Sequence, residues 1–282
     1  MLNFLKLRAQ TQELIRAGQI TQLHEHRRAL LESPRNSDPR RLLSFGYRVY
    51  SQGDEDGIIA EIFRRIGEGN RTFLEMGAGD GLENNSLLLL IRGWRGAWIE
   101  GSARKVLKAK RTLASTLAEG RLHIERSFLT AANVDQTVSR LAPAAGVDLL
   151  SIDLDGNDYY ILDAIRSISP RVIVAEYNAK FPADVVWVME YNEKHRWDST
   201  DYFGASLKAL EVLLAERGYS LVGCNILGSN AFFVRSDLAT DPPFCSPFTS
   251  ENHYEPARYH LAPAYRSGHA GKFGPFRMNE KL

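Results

Sequence analysis

The sequence predicts an α/β protein: a doubly wound, mostly parallel sheet, with a helical arm before it and an antiparallel hairpin at one edge. Three observations carry that prediction. From residue 54 onward, short apolar runs alternate with segments of helical period, as in a parallel sheet with helical crossovers. The first run, 72–76, meets Gly77, Gly79 and Gly81, residues suited to a sharp strand-to-helix turn close to a ligand. The last two runs, 219–224 and 230–235, flank Gly228-Ser229-Asn230, a hairpin signal.

Taken in order, residues 1–41 read as a helical, basic arm. Eight Lys/Arg against four Asp/Glu give it +4. Gly18 is expected to interrupt it and Ser33-Pro34 to end it. Leu7, Leu14, Leu23 and Leu30 form an apolar stripe that slips phase around Gly18. Such an arm packs on its own domain, pairs two subunits as a homodimer, or rests on a membrane surface as a peripheral contact. Charges break its apolar start well before the ~20 residues of a spanning segment.

Residues 54–66 have helical spacing at Ile58, Ile59, Ile62, Phe63 and Ile66. After strand 72–76 come helix 84–92, strand 97–100, helix 102–118, strand 121–125 and helix 133–142. Strand 147–152, helix 158–167 and strand 171–176 follow. Residues 178–203 break the alternation with Phe181, Trp187, Tyr191, His195, Trp197 and Tyr202, a long loop placed where substrate pockets form. Helix 205–217 leads into the hairpin. The tail from 241 carries Phe244, Phe248, Tyr254, Tyr259, Tyr265, Phe273 and Phe276, too aromatic to hang free, and is expected to wrap the domain or cover a pocket. The chain thus divides into an arm (1–41), a catalytic-type domain (42–240) and an extension (241–282).

Bulk properties narrow the function. With 282 residues and a net charge of +1, the chain has no general basic field for nucleic acid. Cys224 and Cys245 are too few for a disulfide framework, and no signal peptide is evident; a cytoplasmic setting is expected.

The glycine loop FLEMGAGDGLENNS, 73–86, is the most informative segment. Its G-x-G-x-G spacing differs from the G-x-G-x-x-G of nicotinamide-binding proteins. Glu75, Asp80 and Glu83 crowd it with negative charge, which repels a pyrophosphate and suits a cationic amine and sulfonium, as in S-adenosylmethionine. Glu100 ends the second strand nineteen residues beyond Gly81, where a carboxylate can accept both ribose hydroxyl protons.

With these residues in view, YSQGDEDGI, FLEMGAGDGLENNS, WRGAWIEG, SIDLDGNDYYI, VIVAEYN and YFGASLKALEVLLAERGYSLVGCN with NAFFVR resemble FkbM-type class I methyltransferases, over about residues 48–236. The resemblance implies a Rossmann-like seven-stranded sheet, S-adenosylmethionine as donor, and an oxygen acceptor on a sugar or natural product. By motif, Glu75, Gly77, Ala78, Gly79 and Gly81 surround the methionine and ribose portions, and Glu100 takes the ribose hydroxyls. Ser127 and Phe128 border the adenine, and Gln52 and Asp56 are candidates to close over the cofactor.

The stretch SIDLDGNDYY, 151–160, ends the fourth strand in acids. Asp153 is expected near the cofactor's methionine end, with Glu176 and Asn178 of the fifth strand close by. Asp153, Glu176 and Asn178 make a hard oxygen set suited to Mg²⁺ or another divalent cation. It is similar to the metal site of catechol O-methyltransferases, with Glu and an intervening Tyr177 in place of an adjacent Asp-Asn pair. Asp153, Asp155 and His195 are the candidate catalytic groups, as metal ligand or base. Gly156 is expected to make the turn, and Asn157 or Asp158 to cap the next helix.

The expected function is O-methylation of a carbohydrate or glycoconjugate hydroxyl, with or without a metal. Two alternatives stand beside it. Asp153-Leu154-Asp155 read as DxD gives a metal-dependent glycosyltransferase, and a degenerate methyltransferase fold gives a binding protein.

Overall fold

The computed structural model describes residues 2–240 and 242–261; within residues 2–16, side chains are described only at Arg8 and 11–15. The strands are β1 (Thr72–Met76), β2 (Arg95–Glu100), β3 (Leu122–Arg126), β4 (Leu149–Ile152), β5 (Val172–Glu176), β6 (Tyr219–Cys224) and β7 (Asn230–Arg235). They form one sheet in the order β3-β2-β1-β4-β5-β7-β6. The first five run parallel, and β7 is antiparallel to both β5 and β6. The predicted doubly wound sheet with an antiparallel edge is therefore the observed one. Chain order reverses between β1 and β4, so their carboxyl ends flank the crevice where such sheets bind ligands.

Both faces of the sheet are covered. One meets α2 (Glu55–Ile66), α3 (Leu87–Ile91) and α4 (Ala103–Thr112) through Phe73, Trp98, Val174 and Phe232. The other meets α6 (Val134–Leu141), α7 (Asp158–Ala164) and α8 (Leu207–Ala215) through Leu74, Met76, Ile152, Ile173 and Phe233. Burial on both faces explains why the strands read as continuous apolar runs. Each fully buried Leu, Ile or Phe contributes about 1.5–3 kcal/mol.

Side chains that compete for the backbone trim the predicted helices. Helix 84–92 shrinks to α3 because Glu75 accepts the Asn85 and Ser86 N–H groups, while the Asn84 carboxamide oxygen accepts from Leu87 N at 2.9 Å. Helix 158–167 stops at Ala164, where Asp135 accepts from the backbone of Arg166 and Ser167, each at 2.7 Å. Helix 102–118 divides at Leu113 into α4 and α5 (Ala114–Ala118). In the arm, Gly18 does not interrupt α1 (Leu2–Leu31), which runs through it for 30 residues. One glycine costs a helix only about 1 kcal/mol, less than a break requires.

Both extensions fold back on the domain. Leu30, Leu31 and Leu261 pack on Leu43, Ile226 and Leu227. Phe244 is fully buried, and the Tyr177 and Tyr254 hydroxyls donate to Glu255 O and Ala179 O. The tail thus wraps the β5 end, as expected for 242–261; Tyr265, Phe273 and Phe276 lie outside the described residues. No helix among the described residues is long and apolar enough to cross a membrane.

Candidate active site

The glycine loop leaves β1 under tight local control. Gly77 has φ +82°, and a Cβ there would lie 1.7 Å from Asp153 O, so only glycine lets β1 and β4 close up at their ends. Gly79 has φ +61°, and a Cβ on it would meet nothing within 4 Å: it borders open space. Gly81 packs inward on the Trp98 ring, and Ala78 is buried. These differences separate structural glycines from the one that faces the crevice.

Glu75 is placed differently from expectation. Its carboxylate accepts from Asn85 N (2.8 Å), Ser86 N (3.1 Å) and the Ser86 hydroxyl, which in turn accepts from Trp98 Nε1 at 2.8 Å. Burial pushes it up to about 7 despite those donors. Glu75 therefore organises the loop from below. Nor is the charge of this loop left bare: Asp80 pairs with Lys108, and Glu83 with Arg48 at 3.1 Å.

Glu100 is 8 % exposed, at the end of β2. One oxygen accepts from Gly79 N at 3.0 Å and the other from Ser102 N at 2.7 Å. A carboxylate has about four lone-pair sites, so each oxygen keeps capacity for a further donor. Next to it, Ser127 N donates to Glu100 O (3.2 Å), and the half-exposed Phe128 ring lies 6.0 Å from the Arg196 guanidinium.

Gln52 is exposed on a loop whose Tyr50 O accepts from Asn84 N at 3.1 Å, setting it beside the glycine loop. Asp56 is buried, and its Oδ1 has no hydrogen-bond partner. Its Oδ2 accepts from Val49, Tyr50 and Ser51 N and from the Ser51 hydroxyl.

Across the crevice, carboxylate oxygens of Asp153, Asp155 and Glu176 lie within 4.8 Å of one another. At that spacing two unit charges repel by about 3–4 kcal/mol at an effective dielectric constant near 20. Burial, then Asp158 and Asp155, raise Asp153 to about 8, and burial followed by Asp153 raises Glu176 well above the carboxylate range. Glu176 Oε2 is buried with no hydrogen-bond partner.

Asn178 does not join them. Its Nδ2 donates to Asp201 O (2.9 Å) and Phe203 O (3.0 Å), and its Oδ1 accepts from Lys180 N. The chain leaves the sheet after Glu176, so strand alternation no longer aims its side chains. Asp155 takes the third place instead. The left-handed residue of the turn is likewise Asp155, at φ +56°, and not Gly156. Neither Asn157 nor Asp158 caps α7 through its side chain. Asp158 accepts from Leu154 N (2.8 Å) and Gly156 N (3.0 Å), holding the acidic loop in shape.

The 178–203 loop docks on that turn. Asn157 exchanges hydrogen bonds with the Asn192 backbone, and Gly204 N donates to Gly156 O. His195 lies over Gly156, where a Cβ would come 2.2 Å from its Cδ2, and its Nε2 is 3.1 Å from Asp155 O. A carbonyl only accepts, so Nε2 carries the proton and Nδ1 is the nitrogen left free in the neutral ring. Phe181 and Trp187 stack at 4.4 Å, and Trp197 and Tyr202 remain half exposed.

No protein-family model matches the chain, and no curated protein matches it either. Among solved structures it is similar to a Staphylococcus aureus protein assigned as a caffeoyl-CoA O-methyltransferase, with 16% identity and a TM-score of 0.43 over 63% of this chain and 81% of that one. The N-terminal domain of EvdMO1, solved with SAH and D-fucose, gives 13% and 0.42 over 67% and 88%. An O-methyltransferase from Bacillus cereus in complex with SAH gives 15% and 0.39 over 77% and 89%. Identities and scores this low carry no functional argument.

Proposed function

We propose that this chain is a class I, FkbM-type methyltransferase that uses S-adenosylmethionine to methylate a hydroxyl, with a carbohydrate or glycoconjugate as acceptor. The observation that carries the reading is Glu100. Its carboxylate bridges the open glycine Gly79 and the start of α4, with lone pairs to spare where a ribose would present two hydroxyl donors. Phe128 beside it offers an aromatic face for adenine.

S-adenosylmethionine, when bound, supplies an electrophilic methyl group on sulfur that an oxygen displaces in line. The residues of this chain orient the acceptor and take its proton. With its carboxyl raised to about 8, Asp153 gains a proton near neutral pH more readily than an ordinary aspartate does, which suits a general base for an alcohol. His195 Nδ1 is the second candidate base at the same turn. The orphaned Glu176 Oε2 and the converging carboxylates also fit a divalent cation. Such a cation, when bound, lowers the pKa of an alcohol it touches. The aromatic pair Phe181–Trp187 and the half-exposed Trp197 and Tyr202 suit the faces of sugar rings.

Calorimetric titration with S-adenosylhomocysteine, NAD⁺ and UDP-glucose tests the reading. Saturable binding of the sulfur ligand alone is expected. Binding of UDP-glucose alone would transfer Asp153 and Asp155 to a glycosyltransferase role. Methyl transfer from labelled donor to a panel of sugars then identifies the acceptor.

A further inference from the structure

We infer that Asn230 supplies the neutral oxygen of a divalent-cation site whose charged ligands are Asp153, Asp155 and Glu176, an inference that rests on the cation-assisted form of the function proposed above. Asn230 is far from these residues in sequence and reaches them through the sheet. Because β7 inserts beside β5, Asn230 is the direct register partner of Glu176. Partners in an antiparallel pair share a face, with Cβ atoms about 4.5–5.5 Å apart.

The amide is fixed in one orientation. Asn230 Nδ2 donates to Glu55 Oε1 at 3.0 Å, and that same oxygen accepts from Asn225 Nδ2 at 2.7 Å. The other Glu55 oxygen accepts from Gly53 N. A carboxylate with these donors only accepts, so the amide nitrogen must face Glu55. Asn230 Oδ1 is thereby turned away from Glu55, and the residue stands beside Glu176 across the β5–β7 pair. The residue is 3 % exposed, and Oδ1 has no hydrogen-bond partner. Glu176 Oε2, on the adjoining strand, is buried and unpartnered in the same way.

Buried acceptors without donors are rare, because each forfeits the hydrogen bond that water would make. Here Glu176 stands within 4.8 Å of the Asp153 and Asp155 carboxylates, so acidic and carbonyl oxygens crowd this end of the sheet. A bound cation would satisfy these oxygens together, in place of the protons that Asp153 and Glu176 otherwise hold. Three carboxylates and one carbonyl form an all-oxygen set of the kind that Mg²⁺ and Mn²⁺ take, completed by water or by an acceptor oxygen. Asn178, the amide closer in sequence, has both ends engaged elsewhere.

Titration of Mn²⁺ into the intact chain at pH 8, followed by the electron spin resonance of free Mn²⁺, tests the assignment. One site per chain is expected. Asn230→Ala should weaken it at least tenfold, Glu176→Gln should weaken it more, and Asn178→Ala should leave it within twofold. Since Asn230→Ala also removes a donor to Glu55, its metal-free melting is measured alongside. Should it fail to fold, Asn230→Gln keeps an amide donor for Glu55 while moving the carbonyl oxygen by one methylene, and Mn²⁺ binding at least fivefold weaker than in the parent is then the expected result. Unchanged Mn²⁺ affinity in a folded Asn230→Ala or Asn230→Gln, or no Mn²⁺ binding by the parent, would each overturn the assignment. S-adenosylhomocysteine is titrated into the same samples. If it binds while Mn²⁺ does not, the cation site fails and the methyl-transfer reading survives. If Mn²⁺ binds and it does not, the reverse holds. Competition between the two would assign the pocket to the cofactor's ammonium group and overturn the inference.

Discussion

Gly77 and Gly79 stand two residues apart, both with positive φ, and they should respond to alanine by different amounts. At either position an L side chain in the left-handed region costs about 1–2 kcal/mol. At Gly79 nothing else is added, because a Cβ there meets no atom within 4 Å. At Gly77 the new Cβ would sit 1.7 Å from Asp153 O, whereas real Cβ contacts essentially never fall below 3.0 Å, so the ends of β1 and β4 must separate by more than an ångström. Overpacking of that kind typically adds about 1–3 kcal/mol. Gly77→Ala should therefore lose about 2–5 kcal/mol in urea denaturation, and Gly79→Ala about 1–2 kcal/mol. Ligand binding should rank them differently. The Gly79 methyl would project into the crevice beside the N–H that Glu100 accepts, so S-adenosylhomocysteine affinity should fall at least tenfold with the fold intact. If Gly79→Ala bound the ligand like the parent, the crevice above Gly79 would not be the cofactor site. If Gly77→Ala were as stable as Gly79→Ala, the packing of β1 on β4 would be wrong.

Three further outcomes follow from the same geometry. Glu100→Gln sets an amide NH₂ against either the Gly79 or the Ser102 N–H; a loss of S-adenosylhomocysteine affinity of about 10–100-fold is expected by calorimetry, and parent-like affinity would remove Glu100 from the site. Asp153, raised to about 8, retains a proton in the metal-free fold that the unfolded chain releases near pH 4, so stability is highest below that range and falls as pH rises towards 8. Each retained proton costs about 2.5 kcal/mol between pH 6 and pH 8; melting in chelator should drop by several degrees, Asp153→Asn should flatten the trend, and a flat profile in the parent would contradict the raised carboxyl. Gly156→Ala should displace the His195 ring with little loss of stability. If His195 is the base, Gly156→Ala and His195→Ala lower methyl transfer alike, and normal turnover in His195→Ala leaves Asp153 in that role.

What the sequence displays is local or strictly periodic. Strand alternation aims residues at a strand's end reliably while the strand lasts, so Glu75, Glu100 and Glu176 could all be located on one face from their positions alone. Alternation says nothing once the chain leaves the sheet. Asn178, two residues past the end of β5, turns to the carbonyls of Asp201 and Phe203, which lie more than twenty residues further on. The part played by Asn230 depends on which strand β7 pairs with, a consequence of the β5-β7-β6 order that composition does not encode. The division of labour within the glycine loop was hidden for a similar reason. G-x-G-x-G marks three permissive backbones, but only Asp153 O and the Trp98 ring decide which two are needed for packing. Asn85 and Ser86, which hold Glu75 away from the crevice, had a visible signal in GLENNS; polar residues at a helix start often compete for the backbone.

The contacts between arm and tail have a consequence for how the chain is made. Arg35 bonds the Asn252 and Tyr254 carbonyls and pairs with Glu255, and Arg41 bonds Asn252. These links join residues more than two hundred positions apart. On a ribosome adding about 5–20 residues per second, the arm emerges at least ten seconds before the segment that fastens it. Until the later segments arrive, Leu30 and Leu31 lack the cover that Ile226, Leu227 and Leu261 give them in the folded chain.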